Sequence, residues 1–237
     1  MMKYRSHFAP CLLALIIVTG CASTKVTRRQ QLVTGQLPRP AQIWVSDFAA
    51  TPADVPADSA LAGQYAAPAA PQTAEQLATG RQLGAEMAAQ LVEQIRGMGM
   101  PAERAAPETK PQINDIVIRG YLLSVEEGSA AKRVAIGFGS GGSELRTAVE
   151  GYQMTAQGLR KLGSGTLDSG GSKTPGAALG TATFIATANP AGLIVSSGMK
   201  VYGEASGSSK VEGRAKDTAK EIADVLERRF QEQGWIQ

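Results

Sequence analysis

The chain has 237 residues, 43% of them hydrophobic, with 24 Lys and Arg against 21 Asp and Glu and a formal net charge of +3. That length suits one domain with tails better than two, and so slight a charge gives little support to a nucleic-acid partner. The one histidine, His7, and the first of two cysteines, Cys11, both precede the second cysteine, Cys21.

Lys3 and Arg5 form a short positive region, an apolar run extends from Leu12 to Val18, and Thr19, Gly20 and Cys21 follow. The run is too short to span a bilayer and lacks the flanks of a permanent anchor, so residues 1–20 read as a signal peptide. Val18 to Cys21 resembles the lipobox of bacterial lipoproteins: an aliphatic residue, a small residue, glycine or alanine, then cysteine. The resemblance implies cleavage before Cys21, a diacylglycerol on its sulfur and an acylated amine. Cys21 is then the lipid-attachment residue and membrane lipid its partner. Several acyl chains give a stable anchor where a single chain holds only marginally. Ala22, in place of aspartate, implies export to the outer membrane with the domain facing the periplasm. Processing removes the histidine and leaves no pair of thiols for a disulfide. It also removes Lys3 and Arg5, bringing the chain close to charge balance.

Residues 21–39 are polar and include Thr27-Arg28-Arg29-Gln30-Gln31, which reads as a flexible tether. Ile43 to Phe48 reads as a short strand. Residues 49–72 are rich in alanine and carry Pro52, Pro56, Pro68 and Pro71. Prolines remove donors and alanines bury little area, so a long mobile loop is expected. Thr73 to Gly97 is a helix: Thr73 and Gln76 have capping-box spacing, and Leu83, Met87, Leu91 and Ile95 recur every fourth residue. Gly97, Gly99 and Pro101 end it. Asp115 to Val125 alternates with apolar residues on both faces, which predicts a central strand. Glu144 to Thr155 and Leu159 to Asp168 alternate around a turn at Gln157-Gly158, which predicts an antiparallel meander. Ala215 to Gln233 is a second amphipathic helix, with Ala215, Ala219, Ile222, Ala223, Leu226 and Phe230 as its stripe and mixed charges opposite.

Gly137, Gly139 and Gly142 fit G-x-G-x-x-G. A pyrophosphate site needs a strand, the glycines and then a helix N-terminus. Here strand-like alternation follows, no acidic residue sits where the ribose contact belongs, and no lysine precedes Ser143 to make a P-loop. The segment reads as a turn between strands, with no nucleotide. Ser129 to Lys132 and Ser197 to Lys200 spell S-x-x-K but lack the helix start and the companion motifs of that chemistry. Without histidine or a free thiol a zinc site is not expected. Glu126, Glu127 and Glu144 are the remaining acid–base candidates, and nothing in the sequence pairs them. Thr174 to Met199 is uncharged between Lys173 and Lys200. Its length permits a membrane span, but its Thr, Ser and Ala content and Asn189-Pro190 favour a buried, closely packed insertion.

Val18-Thr-Gly-Cys-Ala-Ser23, the strand Trp44 to Phe48, the run Gly137 to Arg146 and the closing stretch Ala215 to Trp235 resemble a family of bacterial lipoproteins known as domain of unknown function 4410. That resemblance implies export and anchoring, and no activity or catalytic residue. The element order is also similar to small periplasmic α/β modules of secretion and cell-wall lipoproteins that bind other proteins. The fold expected is α+β: a mainly antiparallel sheet of four or five strands over residues 40–237, with two amphipathic helices packed on one face. The expected role is a lipid-anchored envelope protein of binding or scaffolding type, its protein partner unknown, with no catalytic residue, cofactor or metal. The alternative is a subunit of an outer-membrane assembly or secretion complex with residues 174–199 inserted; a hydrolase ranks third.

Overall fold

The computed structural model describes residues 23–62, 73–126, 144–170 and 211–237. In chain order these form β1 (Ser23–Gln31), β2 (Ile43–Val45), a 3-10 turn (Pro52–Asp54), α1 (Ala74–Gly97), β3 (Ala102–Arg104), β4 (Ile116–Glu126), β5 (Glu144–Thr155), β6 (Gly158–Gly170) and α2 (Val211–Glu232). The fold is α+β, with one sheet in the order β1-β6-β5-β4-β2-β3.

The sheet meets the expectation in part. Among the described residues it has six strands rather than four or five, and it is mixed, with three of its five pairings antiparallel. Strands β1, β6, β5 and β4 are antiparallel neighbours. Strand β2 runs parallel to both β4 and β3. The parallel pairing follows from connectivity: α1 carries the chain from β2 back to the same end, and only a crossover of that length joins parallel neighbours. The meander closes through Ala156 and Gln157, with Thr155 opposite Gly158. Gly158 takes φ +108, a conformation costly for any residue with a Cβ.

The polar tether expected over residues 21–39 is, from Ser23 to Gln31, the edge strand β1. It pairs with β6 from Ser23 opposite Gly170 to Gln31 opposite Gly163. An edge strand needs one partner and a little apolar cover, and Val26 packing on the core supplies the cover. The remainder is pinned by the other end of the chain. The Gln233 side chain accepts from the Leu37 amide at 2.5 Å and donates to the Gly35 carbonyl at 3.3 Å. The Trp235 indole donates to the Leu37 carbonyl at 3.1 Å. Trp235 reaches this place because Gly234, at φ +70, ends α2 and turns the chain so that the Trp235 amide bonds the Phe230 carbonyl.

The helices share one face of the sheet. Leu83, Met87, Leu91 and Ile95 of α1 and Ala215, Ile222, Ala223 and Phe230 of α2 form one core with Ile43, Val45, Ile116, Ile118, Leu122, Leu145 and Leu167. A fully buried Leu or Phe contributes roughly 1.5–3 kcal/mol, so this cluster supplies most of the hydrophobic stabilisation.

Phe48 sets the spacing between α1 and β4. A Cβ on Gly84 of α1 would lie 2.1 Å from the Phe48 carbonyl oxygen, and one on Gly120 of β4 would lie 2.2 Å from its ring. Both positions must be glycine for Phe48 to be fully buried between helix and sheet.

Candidate functional site

The opposite face carries a connected cluster of ionisable side chains. Alternation along β4 puts Arg119 and Tyr121 on this face, and alternation along β5 puts Glu150 and Tyr152 there. Register then aligns them: Arg119 faces Glu150 across β4 and β5, and Tyr152 faces Lys161 across β5 and β6.

Residues 51–62 cover these side chains. Part of the loop expected to be mobile is therefore packed, while residues 63–72 lie outside the described residues. Thr51 starts the cover by donating its amide and hydroxyl to Asp54 Oδ2 at 3.0 and 2.8 Å. Arg81 of α1 holds the same carboxylate at 2.9 Å. Val55, with Leu61 and Ala62 beside it, packs on Ala49, Tyr121, Ala148 and Leu123. Asp58 receives both terminal nitrogens of Arg119, at 2.8 and 3.2 Å. The Arg119 guanidinium also lies over the Tyr152 ring, 5.0 Å from its centre.

Glu150 is the hub. It is 2% exposed. Its Oε2 accepts from Ser59 Oγ at 2.8 Å, Tyr121 Oη at 2.8 Å and Tyr152 Oη at 2.7 Å. Its Oε1 accepts from Lys161 Nζ at 2.5 Å. Burial alone would push this carboxyl up, but the bonds from Lys161, Tyr152, Tyr121 and Ser59 outweigh it and hold Glu150 below the usual carboxylate range. Burial and the adjacent negative charge push both tyrosine hydroxyls well above their ordinary value.

At neutral pH Glu150 therefore stays charged and both tyrosines stay protonated. Four side chains of the same chain thus address the carboxylate, three at Oε2 and one at Oε1. The arrangement suits fastening residues 51–62 to the sheet. Each charge-assisted bond contributes about 1.5–3 kcal/mol before the cost of burying the charge is set against it.

The sequence candidates lie elsewhere. Cys21 precedes the described residues by two positions, since β1 begins at Ser23. Gly137, Gly139, Gly142, Glu127, both S-x-x-K matches and Thr174 to Met199 lie outside the described residues. Glu126 and Glu144, which nothing in the sequence pairs, stand opposite each other at the end of the β4–β5 ladder. Among the described residues no group of three His, Cys, Asp or Glu is placed to hold a metal. No helix there is long and apolar enough to cross a membrane. Sequence reasoning did not single out Glu150. The available signal was the pair Arg119-x-Tyr121 and Glu150-x-Tyr152, two polar steps on one face of strands whose apolar neighbours call for cover.

No curated protein matches the chain. The solved PelC dodecamer from Paraburkholderia phytofirmans is similar at a TM-score of 0.37, with 12% identity, over 70% of this chain and 96% of the PelC chain. A leucine-to-methionine variant of that dodecamer gives 0.36, with 14% identity, over 70% and 95%. Likeness this faint carries no argument about assembly or ligand. The sequence profile of one family does match, over residues 43–188, from the start of β2 to beyond β6. The chain belongs to the domain of unknown function family DUF4410.

Proposed function

We propose that this chain is a lipid-anchored cell-envelope protein of binding or scaffolding type. It is held at the outer membrane by an acylated Cys21, and its α+β domain faces the periplasm and engages a protein partner. The observation that carries this reading is Val18 to Cys21, with its lipobox pattern behind a charged and apolar leader. Two features support a role in binding over one in chemistry. The buried carboxylate Glu150 is engaged by four donors from its own chain. The segment above it is fastened down by the Ser59 bond to that carboxylate and by the packing of Val55.

The anchor is tested by metabolic labelling with a fatty acid. Cys21→Ser should abolish incorporation and leave uncleaved precursor. Equal labelling of wild type and variant would end this reading. Photo-crosslinking in cells, with the probe on an exposed residue such as Asp58, then identifies the protein that the domain engages.

A further inference from the structure

We infer that the molecule stands on the bilayer on one end of its sheet, the row formed by Ser23, Gly170, Glu144 and Glu126, with its strands running away from the lipid. This deepens the proposed function and rests on the acylation of Cys21.

Register defines the row. Ser23 is opposite Gly170, Gly170 opposite Glu144, and Glu144 opposite Glu126. With strands about 4.8 Å apart, the row is roughly 15 Å wide. Two peptide units separate Cys21 from Ser23, so the lipid-bearing residue lies within about 7 Å of the row whatever Ala22 does. A flexible coil over residues 21–39 would have reached roughly 20–25 Å and left orientation free.

No such coil is present in β1. The strand is laddered to β6 along its length. Thr24 Oγ1 donates to Ser169 Oγ at 2.8 Å, Thr27 Oγ1 donates to the Thr166 carbonyl at 3.2 Å, and Val26 packs on the core. A lipid in the membrane therefore pulls on the sheet itself. The opposite end holds the β5–β6 turn at Ala156-Gln157, with the starts of β2 and β4 opposite each other and opposite Gln153. Across the 13 residues of β6 that end is about 40 Å from the row, at 3.3 Å per residue. What holds the near end down is the short covalent link.

The test uses the full, acylated chain in phosphatidylcholine vesicles. Acylation blocks the Cys21 thiol and Cys11 leaves with the signal, so a new cysteine is the single labelling site. Lys25→Cys marks the near end and Gln157→Cys the far end; both positions are exposed. Each carries a thiol-reactive fluorophore, and the vesicles contain a lipid spin-labelled at its headgroup. Quenching should be several-fold greater at residue 25 than at residue 157. A long Gly-Ser insertion between Ala22 and Ser23 should remove that difference while the protein still floats with the vesicles. Equal quenching at the two sites in floating, uninserted protein would overturn the orientation alone. So would a difference that survives the insertion. Failure of the uninserted protein to float would instead remove the lipid anchor, and the orientation with it.

Discussion

On the helix-covered face, Ile43, Ile118, Leu122 and Leu145 meet Leu83, Met87, Leu91 and Ile222 in a broad apolar contact whose tight point is Phe48 against Gly84 and Gly120. On the other face a few apolar groups, Val55, Leu61, Tyr121 and Ala148, surround one carboxylate that four side chains address. The first arrangement is stabilised by area removed from water, which is non-directional and roughly additive. The second depends on directed bonds to a buried charge, and the loss of one partner leaves the others unsatisfied. One sheet thus has a face held mainly by apolar area and a face held by directed bonds.

The largest expected effect is on the helix face. Phe48→Ala leaves a void where the ring lies on Gly120, which has no side chain to fill it. It should cost about 3–5 kcal/mol in urea unfolding. Phe48→Leu should recover more than half of that loss, since burial rather than a specific bond is at stake. Equal losses for both substitutions would mean that the ring itself is required.

On the other face, Glu150→Ala should cost about 2–3 kcal/mol, because it strands Ser59, Tyr121 and Tyr152 hydroxyls in a buried place. Its signature is local. Amides of residues 51–62 should exchange faster with deuterium than those of α1 and α2. Uniform acceleration across the sheet would show that the two faces are not separable.

Acid should distinguish the faces further. The folded carboxyl of Glu150 titrates below its unfolded value of about 4.3. Its stabilisation is therefore fully present above that value and disappears as pH falls through the depressed folded one. The stability gap between wild type and Glu150→Gln should narrow as pH is lowered past about 4, whereas the gap for Phe48→Ala should not. A gap for Glu150→Gln that widens in acid would reverse the assigned sign.

The smallest effect belongs to Asp58. Its side chain is 56% exposed, and its pair with Arg119 is open to solvent screening. Asp58→Asn should cost no more than about 1 kcal/mol, less in high salt. A larger cost in thermal melts would place this surface pair among the bonds that fasten the cover.

The same contrast decides what the sequence made legible. The helices announced themselves because Leu83, Met87, Leu91 and Ile95 repeat with the helix period. The inner position of β4 followed from its two apolar faces. Strand β1 was hidden because an edge strand carries Lys25, Arg28 and Arg29 and needs only Val26 inward, so its composition is that of a linker. Strand β3 is three residues drawn into line by pairing with β2, which leaves no periodic trace. Glu150 reads as the outward step of a half-exposed strand. Only a third element, with Ser59 and Val55 pointing down, makes that face an interior. Prolines and alanines in residues 49–62 suggested mobility because their local preferences are visible while the bonds that override them are long-range. Gly84 and Gly120 likewise have no meaning until Phe48 is placed between them.

The pairing of β1 with β6 also orders events in time. Thr24 meets Ser169 across 145 positions of chain. The first strand to emerge thus has no template until the β5–β6 hairpin exists. Closing so long a loop is entropically dear and raises the barrier to this one contact more than to the local meander. Helix α1 with β2, and the hairpin of β5 with β6, should assemble first. β1 should add last, after its neighbour is already in place. A chain acylated at Cys21 would then fold with its N-terminus held at the lipid surface, and the final step would bring the rest of the sheet to the anchored strand.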